Sequence, residues 1–129
     1  MKTITITSHK KDEIIDITED VEKEILSQTK NEGVVLIHAL HTTCCITTAD
    51  LDPGTDKDLL DFLRAIEPKL SYRHPHNPSH APDHIISSII GPSISIPFQE
   101  KQLVLGTWQR VILIELDGPR KRNITVSII

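Results

Sequence analysis

The stretch LVLGTWQRVILIELDGPR, residues 103–120, joins two apolar runs through a polar interruption and ends in a turn. The runs 103–105 and 111–116 are typical of β-strands. Trp108 and Gln109 stand between them, where a purely structural strand would carry aliphatic residues. Trp108 is the only tryptophan of the chain. The residues alone leave two interpretations open, namely packing at a core edge beside Gly106 or a place in a functional site.

The regular elements around this stretch follow from apolar periodicity and from turn residues. Ser93 to Ile96 alternates as a half-buried strand must, Thr18 can cap a helix, and Gly91-Pro92 ends another. The predicted strands cover 3–8, 13–17, 34–40, 44–48, 93–98, 103–116 with a break at Gly-Thr-Trp-Gln, and 121–129. The predicted helices run from 18 to near 33, over 56–66 and over 82–90. This order, β-β-α-β-β-α-α-β-β-β, predicts an α+β fold with a largely antiparallel or mixed sheet.

Size and charge limit the possible functions. A chain of 129 residues predicts a single domain, residues 1–129. A net charge of -4 and an aromatic content of 3% argue against a nucleic-acid-binding protein. The N-terminus lacks the apolar region of a signal peptide, and no segment is long and apolar enough for a membrane span. We therefore expect a cytoplasmic protein.

Two further patterns concern the interior. Cys44 and Cys45 are adjacent, so on a strand they point to opposite faces and are expected to be reduced, buried thiols. The strand 111–116 is apolar on both faces except for Glu115, which indicates that helices or another subunit cover one face. A buried Glu115 needs a partner, and Arg120 or a cation of a neighbouring subunit could supply it.

Several motifs in a fixed order carry a family resemblance. They are His41-Thr42-Thr43, Tyr72-Arg73-His74, Asp83-His84, GTWQ at 106–109 and LDGPR at 116–120. Together they resemble the YjbQ family of small proteins, also labelled secondary thiamine-phosphate synthase enzymes, over nearly the whole chain. The resemblance implies a YjbQ-like α+β fold and a homotrimer.

The resemblance marks His41, His74 and His84 as a metal site. Three imidazoles are enough for a catalytic Zn²⁺ site with one open position, and a similar divalent metal, Mg²⁺ included, is an alternative. Their spacing does not itself show that they converge, so loop capping or ordinary hydrogen bonds stay open for each. His76 and His80, in the same proline-rich segment 71–84, are expected to face solvent, and His38 to be a satisfied core or interface residue.

The remaining site residues are assigned by the same resemblance. It implies substrate-binding roles for Thr42, Thr43, Trp108 and Arg120, and catalytic roles for Asp58, Gln109 and Arg120. Asp58 also fits a capping box with Thr55, and Arg120-Lys121-Arg122 also fits a solvated strand edge. If Arg120 faces the histidines, its planar guanidinium can donate two parallel hydrogen bonds to phosphate oxygens.

One position departs from the family pattern. Many members carry Asn-Glu where this chain has Ala49-Asp50. Whether Asp50 replaces the usual acidic residue is open, and a catalytic role for the pair is in doubt here.

Three functions follow as expectations. The resemblance implies a small phosphorylated substrate and weak thiamine-phosphate synthase activity, in which an aminopyrimidine diphosphate alkylates a thiazole phosphate and releases pyrophosphate. Release of pyrophosphate usually requires Mg²⁺ bound by carboxylates, whereas three histidines favour Zn²⁺. The three-histidine site therefore fits a Zn²⁺-dependent hydrolase of a small phosphorylated or cyclic substrate better than it fits the synthase. The third possibility is a non-catalytic trimer that binds a metal or a metabolite.

Overall fold

The computed structural model describes all residues, 1–129, and has an α+β architecture as predicted. The strands are β1 (Lys2–Thr7), β2 (Glu13–Asp16), β3 (Glu32–Ala39), β4 (Cys44–Ala49), β5 (Ser93–Gln99), β6 (Gln102–Leu103), β7 (Arg110–Glu115) and β8 (Lys121–Ile128). The helices are α1 (Thr18–Leu26), α2 (Thr55–Ala65) and α3 (Ala81–Ile90), and a short 3₁₀ turn at Pro78–His80 precedes α3. No helix has the length and apolar character that a bilayer span requires.

Two antiparallel sheets build the domain. The larger has the strand order β1-β8-β3-β5-β6 and the smaller the order β2-β7-β4. Residues of both sheets and of α1 form one apolar core, and the opposite face of the smaller sheet packs against α2 and α3 in a second core. The smaller sheet is therefore a middle layer that is covered on both faces.

Strand β7 shows how this layer is filled. Val111 and Leu113 belong to the core between the sheets, whereas Ile112, Ile114 and Leu116 face the helices. Of the two coverings expected for one face of this strand, helices or another subunit, the structure shows the chain's own helices.

The cysteines behave as predicted. Cys44 faces one core, Cys45 the other, and both are free and buried. Burial raises the pKa of the Cys44 thiol to about 11 and that of Cys45 to about 12. Both are packing residues rather than nucleophiles.

Three element boundaries differ from the prediction. Helix α1 ends at Leu26 instead of near Gly33. The strand expected over 103–116 breaks at the Gly-Thr-Trp-Gln turn as predicted, but β6 stops at Leu103 instead of Leu105, and β7 begins at Arg110. The segment 71–84 is irregular only at first, because Asn77 Oδ1 accepts a hydrogen bond from the Ser79 N–H (3.1 Å) and starts the 3₁₀ turn.

Candidate functional site

The residues between β3 and β4, which include the predicted ligand His41, meet the end of β7 and the start of β8 at one end of the smaller sheet. The Leu116 N–H donates to the Thr43 carbonyl (3.2 Å), which brings the start of β4 beside the end of β7. The Leu40 N–H donates to the Asn123 carbonyl (3.1 Å), which holds the residues after β3 against β8. We call this region the carboxyl end of β7.

Beneath it lies a buried ion pair. Glu115 is 0% and Arg122 2% exposed. Arg122 donates from Nε to Glu115 Oε2 (2.8 Å) and from Nη2 to Glu115 Oε1 and to Thr43 Oγ1 (2.8 Å). The Ser8 hydroxyl (2.8 Å) and the Asp117 N–H (3.0 Å) also donate to Glu115. Burial alone would raise the pKa of Glu115, but these hydrogen bonds and the Arg122 charge outweigh it and lower that pKa.

The partner of Glu115 was predicted wrongly. Arg120 or a cation of a neighbouring subunit was expected in this role. The cation is Arg122 of the same chain, which was expected at a solvated strand edge. The signal was present in β8, where Arg122 has the same parity as the buried Ile124 and Val126. Arg120 and Lys121 follow the expectation and are exposed.

His41 is half-buried beside this pair. Its Nε2 accepts a hydrogen bond from the Asn123 N–H (2.7 Å), so the proton of the neutral ring is assigned to Nδ1. Burial lowers the pKa of His41, and the charges of Arg122 and Arg120 lower it further, against a smaller opposing effect of Glu115. The lowered pKa favours the neutral ring, which then carries its donor on Nδ1.

His74 and His84 are brought together. Their ring centroids lie 4.9 Å apart, with 22° between the ring planes. His74 Nδ1 accepts a long bond from the Asn77 N–H (3.4 Å), while neither ring nitrogen of His84 takes part in a hydrogen bond within the chain. His84 therefore carries an unengaged imidazole.

His80 lies in this region too, contrary to the expectation that it faces solvent. Its Nε2 is 4.0 Å from Asp117 Oδ1, and the side chain is half-buried. His76 is exposed, as predicted. His38 is satisfied, since its Nδ1 lies 2.6 Å from the Ser93 hydroxyl.

Arg120 reaches the same end but is held by Asp117. Its Nε donates to the Asp117 carbonyl (2.7 Å) and its Nη2 to Asp117 Oδ2 (2.9 Å). The turn that positions both requires Gly118, because an added Cβ would collide with the Lys10 carbonyl oxygen and lie 2.7 Å from Ser8 Oγ. The Arg120 side chain is half exposed.

A second network ties α2 and α3 to this end. Arg64 donates to Asp12 (2.6 Å), to Asp83 (2.7 Å) and to the Leu116 carbonyl (3.1 Å). Lys11 donates to the same carbonyl (2.8 Å). Asp83 is 1% exposed, so the carboxylate next to His84 is committed to ion pairs. Sequence reasoning missed this network, because its members are far apart in the chain.

The other predicted site residues lie at the opposite end of β7. Trp108 is 70% exposed and borders a depression of about 250 Å³ with Asp50, Asp52 and Arg110. Gln109 shapes its own turn, since its Oε1 accepts from the Gly106 N–H (3.0 Å) and its Nε2 donates to Thr48 Oγ1 (2.9 Å). Within one chain, these residues and the imidazoles do not share a cavity.

Asp58 also lies away from the imidazoles. It is exposed in the first turn of α2, whose N-cap is Gly54 and carries no side-chain cap bond, so the expected capping box with Thr55 does not form. Thr42 is exposed beside His41, and Thr43 is buried against Arg122. Of the predicted substrate contacts, Thr42 and Arg120 are accessible at the carboxyl end of β7.

A single chain does not complete a metal site. No three His, Cys, Asp or Glu side chains are grouped closely enough to hold a metal ion. Two imidazoles are adjacent, but Nε2 of His41 already accepts a backbone hydrogen bond. A third ligand would have to come from a rearranged His41 or from another chain.

Comparisons with known proteins agree with this architecture. A UPF0047 protein of Archaeoglobus fulgidus is 35% identical over 125 residues, 96% of this chain and 97% of its own. The UPF0047 protein YugU of Bacillus subtilis is 34% identical, over 99% of this chain and 98% of its own. A YjbQ/UPF0047 crystal structure from Clostridium acetobutylicum superposes with a TM-score of 0.91 at 34% identity, covering 100% of both chains.

A second solved structure gives the same result. A YbjQ-like protein of unknown function from Sulfolobus solfataricus has a TM-score of 0.90 and 33% identity, over 98% of this chain and 94% of its own. The family model described as UPF0047 protein YjbQ-like matches residues 2–129. With the motifs, the fold and the whole-length match in agreement, this chain belongs to the YjbQ/UPF0047 family.

Proposed function

We propose that the chain binds a small phosphorylated compound at the carboxyl end of β7 and hydrolyses its phosphate ester. The observation that carries this proposal is the half-buried His84, whose ring stacks on His74 and has both nitrogens free of hydrogen bonds within the chain. An imidazole in this state is suited to accept a proton from water.

The neighbouring groups have complementary roles. His41 presents Nδ1–H as a neutral donor, and the exposed part of Arg120 attracts the phosphate. Water's oxygen bonds to phosphorus as His84 takes its proton, and the ester oxygen leaves and is protonated by solvent. Asp117 holds Arg120 in place.

Two observations favour hydrolysis over transfer with pyrophosphate release. Pyrophosphate departure usually relies on Mg²⁺ bound by carboxylates. Here Asp83, Glu115 and Asp117 are engaged with arginine side chains. The carboxylates nearest the imidazoles are therefore poorly available to hold Mg²⁺.

Formation of thiamine phosphate is the second candidate. Trp108 is exposed next to Asp50 and Asp52, and its flat ring suits a heterocycle with amino groups. This candidate needs the two ends of β7 to come together from different chains.

We also propose a homotrimer whose subunits share the site. The predicted site residues divide between the two ends of β7, and a contact between the two ends of different chains would unite them. Ile66, Leu70, Ile85 and Ile89 expose apolar surface around a groove between α3 and the segment that follows α2, and subunit contacts cover this kind of surface. An intersubunit ligand would also complete a Zn²⁺ site at His74 and His84. No step of the proposed hydrolysis runs through that metal.

One experiment separates the three functions. The native protein is incubated with simple phosphate monoesters and, separately, with the aminopyrimidine diphosphate and thiazole phosphate. Release of phosphate from the esters without coupling supports the hydrolase. Coupling without ester cleavage assigns the transferase, and inactivity towards both sets, with a bound metal or metabolite in the purified protein, assigns the binding protein.

A further inference from the structure

The guanidinium of Arg122 has N–H donors that make no hydrogen bond within the chain. Arginine carries five N–H donors. The bonds to Glu115 and to Thr43 use the one on Nε and the two on Nη2. The two N–H groups of Nη1 make no hydrogen bond within the chain.

The free end of this side chain has a small contact with solvent. Among polar side-chain atoms that are sealed from solvent, only Glu24 Oε2 lacks a partner. Nη1 lacks a partner and is not in that set, so it has solvent contact although Arg122 as a whole is only 2% exposed. Glu115 and Thr43 fix the plane of the buried guanidinium. Its two remaining donors are therefore held in one orientation before a ligand binds.

The opening belongs to the candidate site. Strands β3 and β8 pair Ala39 with Ile124, and continuing this register sets His41 opposite Arg122. At His41, the positive effects of Arg122 and Arg120 outweigh the negative effect of Glu115. Arg122 therefore acts on the His41 ring as a cation, although it is paired with Glu115.

We infer that Nη1 of Arg122 is the fixed oxyanion-binding group of this site and receives the phosphate of the substrate beside Nδ1–H of His41. This inference rests on the proposed function, because it names the anion contact of the same site. Arg120 is the weaker contact, since its guanidinium is half exposed and shared with Asp117. Arg122 thus selects a phosphate monoester over an uncharged compound.

The test measures binding of inorganic phosphate by titration calorimetry. Arg122→Lys keeps the charge but loses Nη1, and we expect its affinity to fall about tenfold or more. Arg120→Lys should cost less. Lys121→Gln removes a charge from the opposite face of β8 and should leave the affinity unchanged. An Arg120→Lys loss larger than that of Arg122→Lys would overturn the inference, as would an absence of phosphate binding by the native protein.

A second measurement avoids the risk that Arg122→Lys fails to fold. In native protein with ¹⁵N-labelled arginine, phosphate should shift the side-chain nitrogen resonance of Arg122 at the concentrations that saturate binding. Saturation without a shift of that resonance contradicts the inference. Phosphate binding through Arg122 without ester cleavage would leave the inference standing and refute only the proposed hydrolysis.

Discussion

Arg122 and Glu115 form a bidentate ion pair beneath the site, in which Arg122 Nε lies 2.8 Å from Glu115 Oε2. Both side chains are almost wholly buried. Taking two charges out of water costs free energy, which the pair recovers only through full hydrogen bonding. Ser8, Thr43 and the backbone of Asp117 complete that bonding. The pair therefore connects β7, β8 and the start of β4.

Removing one charge of this pair should be strongly destabilising. Glu115→Gln leaves Arg122 buried without its counter-ion, and we expect the free energy of unfolding to fall by about 3 kcal/mol. Urea unfolding followed by circular dichroism measures the change. Glu32→Gln, at an exposed position, is the matched control and should change stability by less than about 0.5 kcal/mol. Equal stability of the two variants would contradict this role for the pair.

The same pair predicts the pH dependence of stability. Hydrogen bonds lower the pKa of Glu115 in the folded chain below its ordinary value of 4.5. The stabilisation is therefore complete above pH 4.5 and is lost as the pH falls through the lower, folded pKa. The stability difference between native protein and Glu115→Gln should shrink between pH 4.5 and pH 3. A difference that stays constant over this range would show that Glu115 does not titrate with a lowered pKa.

His41 should be neutral and protonated on Nδ1. Burial and the charge of Arg122 lower its pKa, so the midpoint of its titration should lie below 6.5. A long-range ¹H–¹⁵N correlation spectrum reports both the tautomer and the titration. Protonation of Nε2, or a midpoint above 6.5, would be inconsistent with the hydrogen bond from Asn123.

The proposed trimer can be tested by light scattering. Native protein at micromolar concentration should have three times the mass of the chain. Ile89→Glu places a charge in the apolar groove and should give monomers, whereas Leu26→Glu, at an exposed position on α1, should not. A monomeric native protein would refute the trimer and the shared site.

Much of the fold follows from local patterns. Alternation in β5 and the continuous apolar run of β3 predicted both strands, and Gly91 marked the end of α3. The break in the strand 103–116 was expected from the Gly-Thr-Trp-Gln sequence, but the hydrogen bond from Gln109 to Thr48 that stabilises this turn was not. That bond joins residues far apart in the sequence.

The candidate site was predictable only in part. His74 and His84 were named as neighbours through family resemblance, since no helical spacing links a loop residue to a helix residue. Arg122 was missed because its basic neighbours, Arg120 and Lys121, suggested a solvated edge. Its parity with Ile124 would have placed it inside, next to Glu115.

The most direct test of the central claim is the ester-hydrolysis rate constant, kcat/KM, of native protein, His84→Gln and His76→Gln. Both variants lose one imidazole from neighbouring segments, but only His84 stacks on His74 at the proposed site. We predict that His84→Gln lowers kcat/KM by about 10² or more and that His76→Gln leaves it unchanged. Equal rates in native protein and His84→Gln would contradict the assignment of His84 as the proton acceptor.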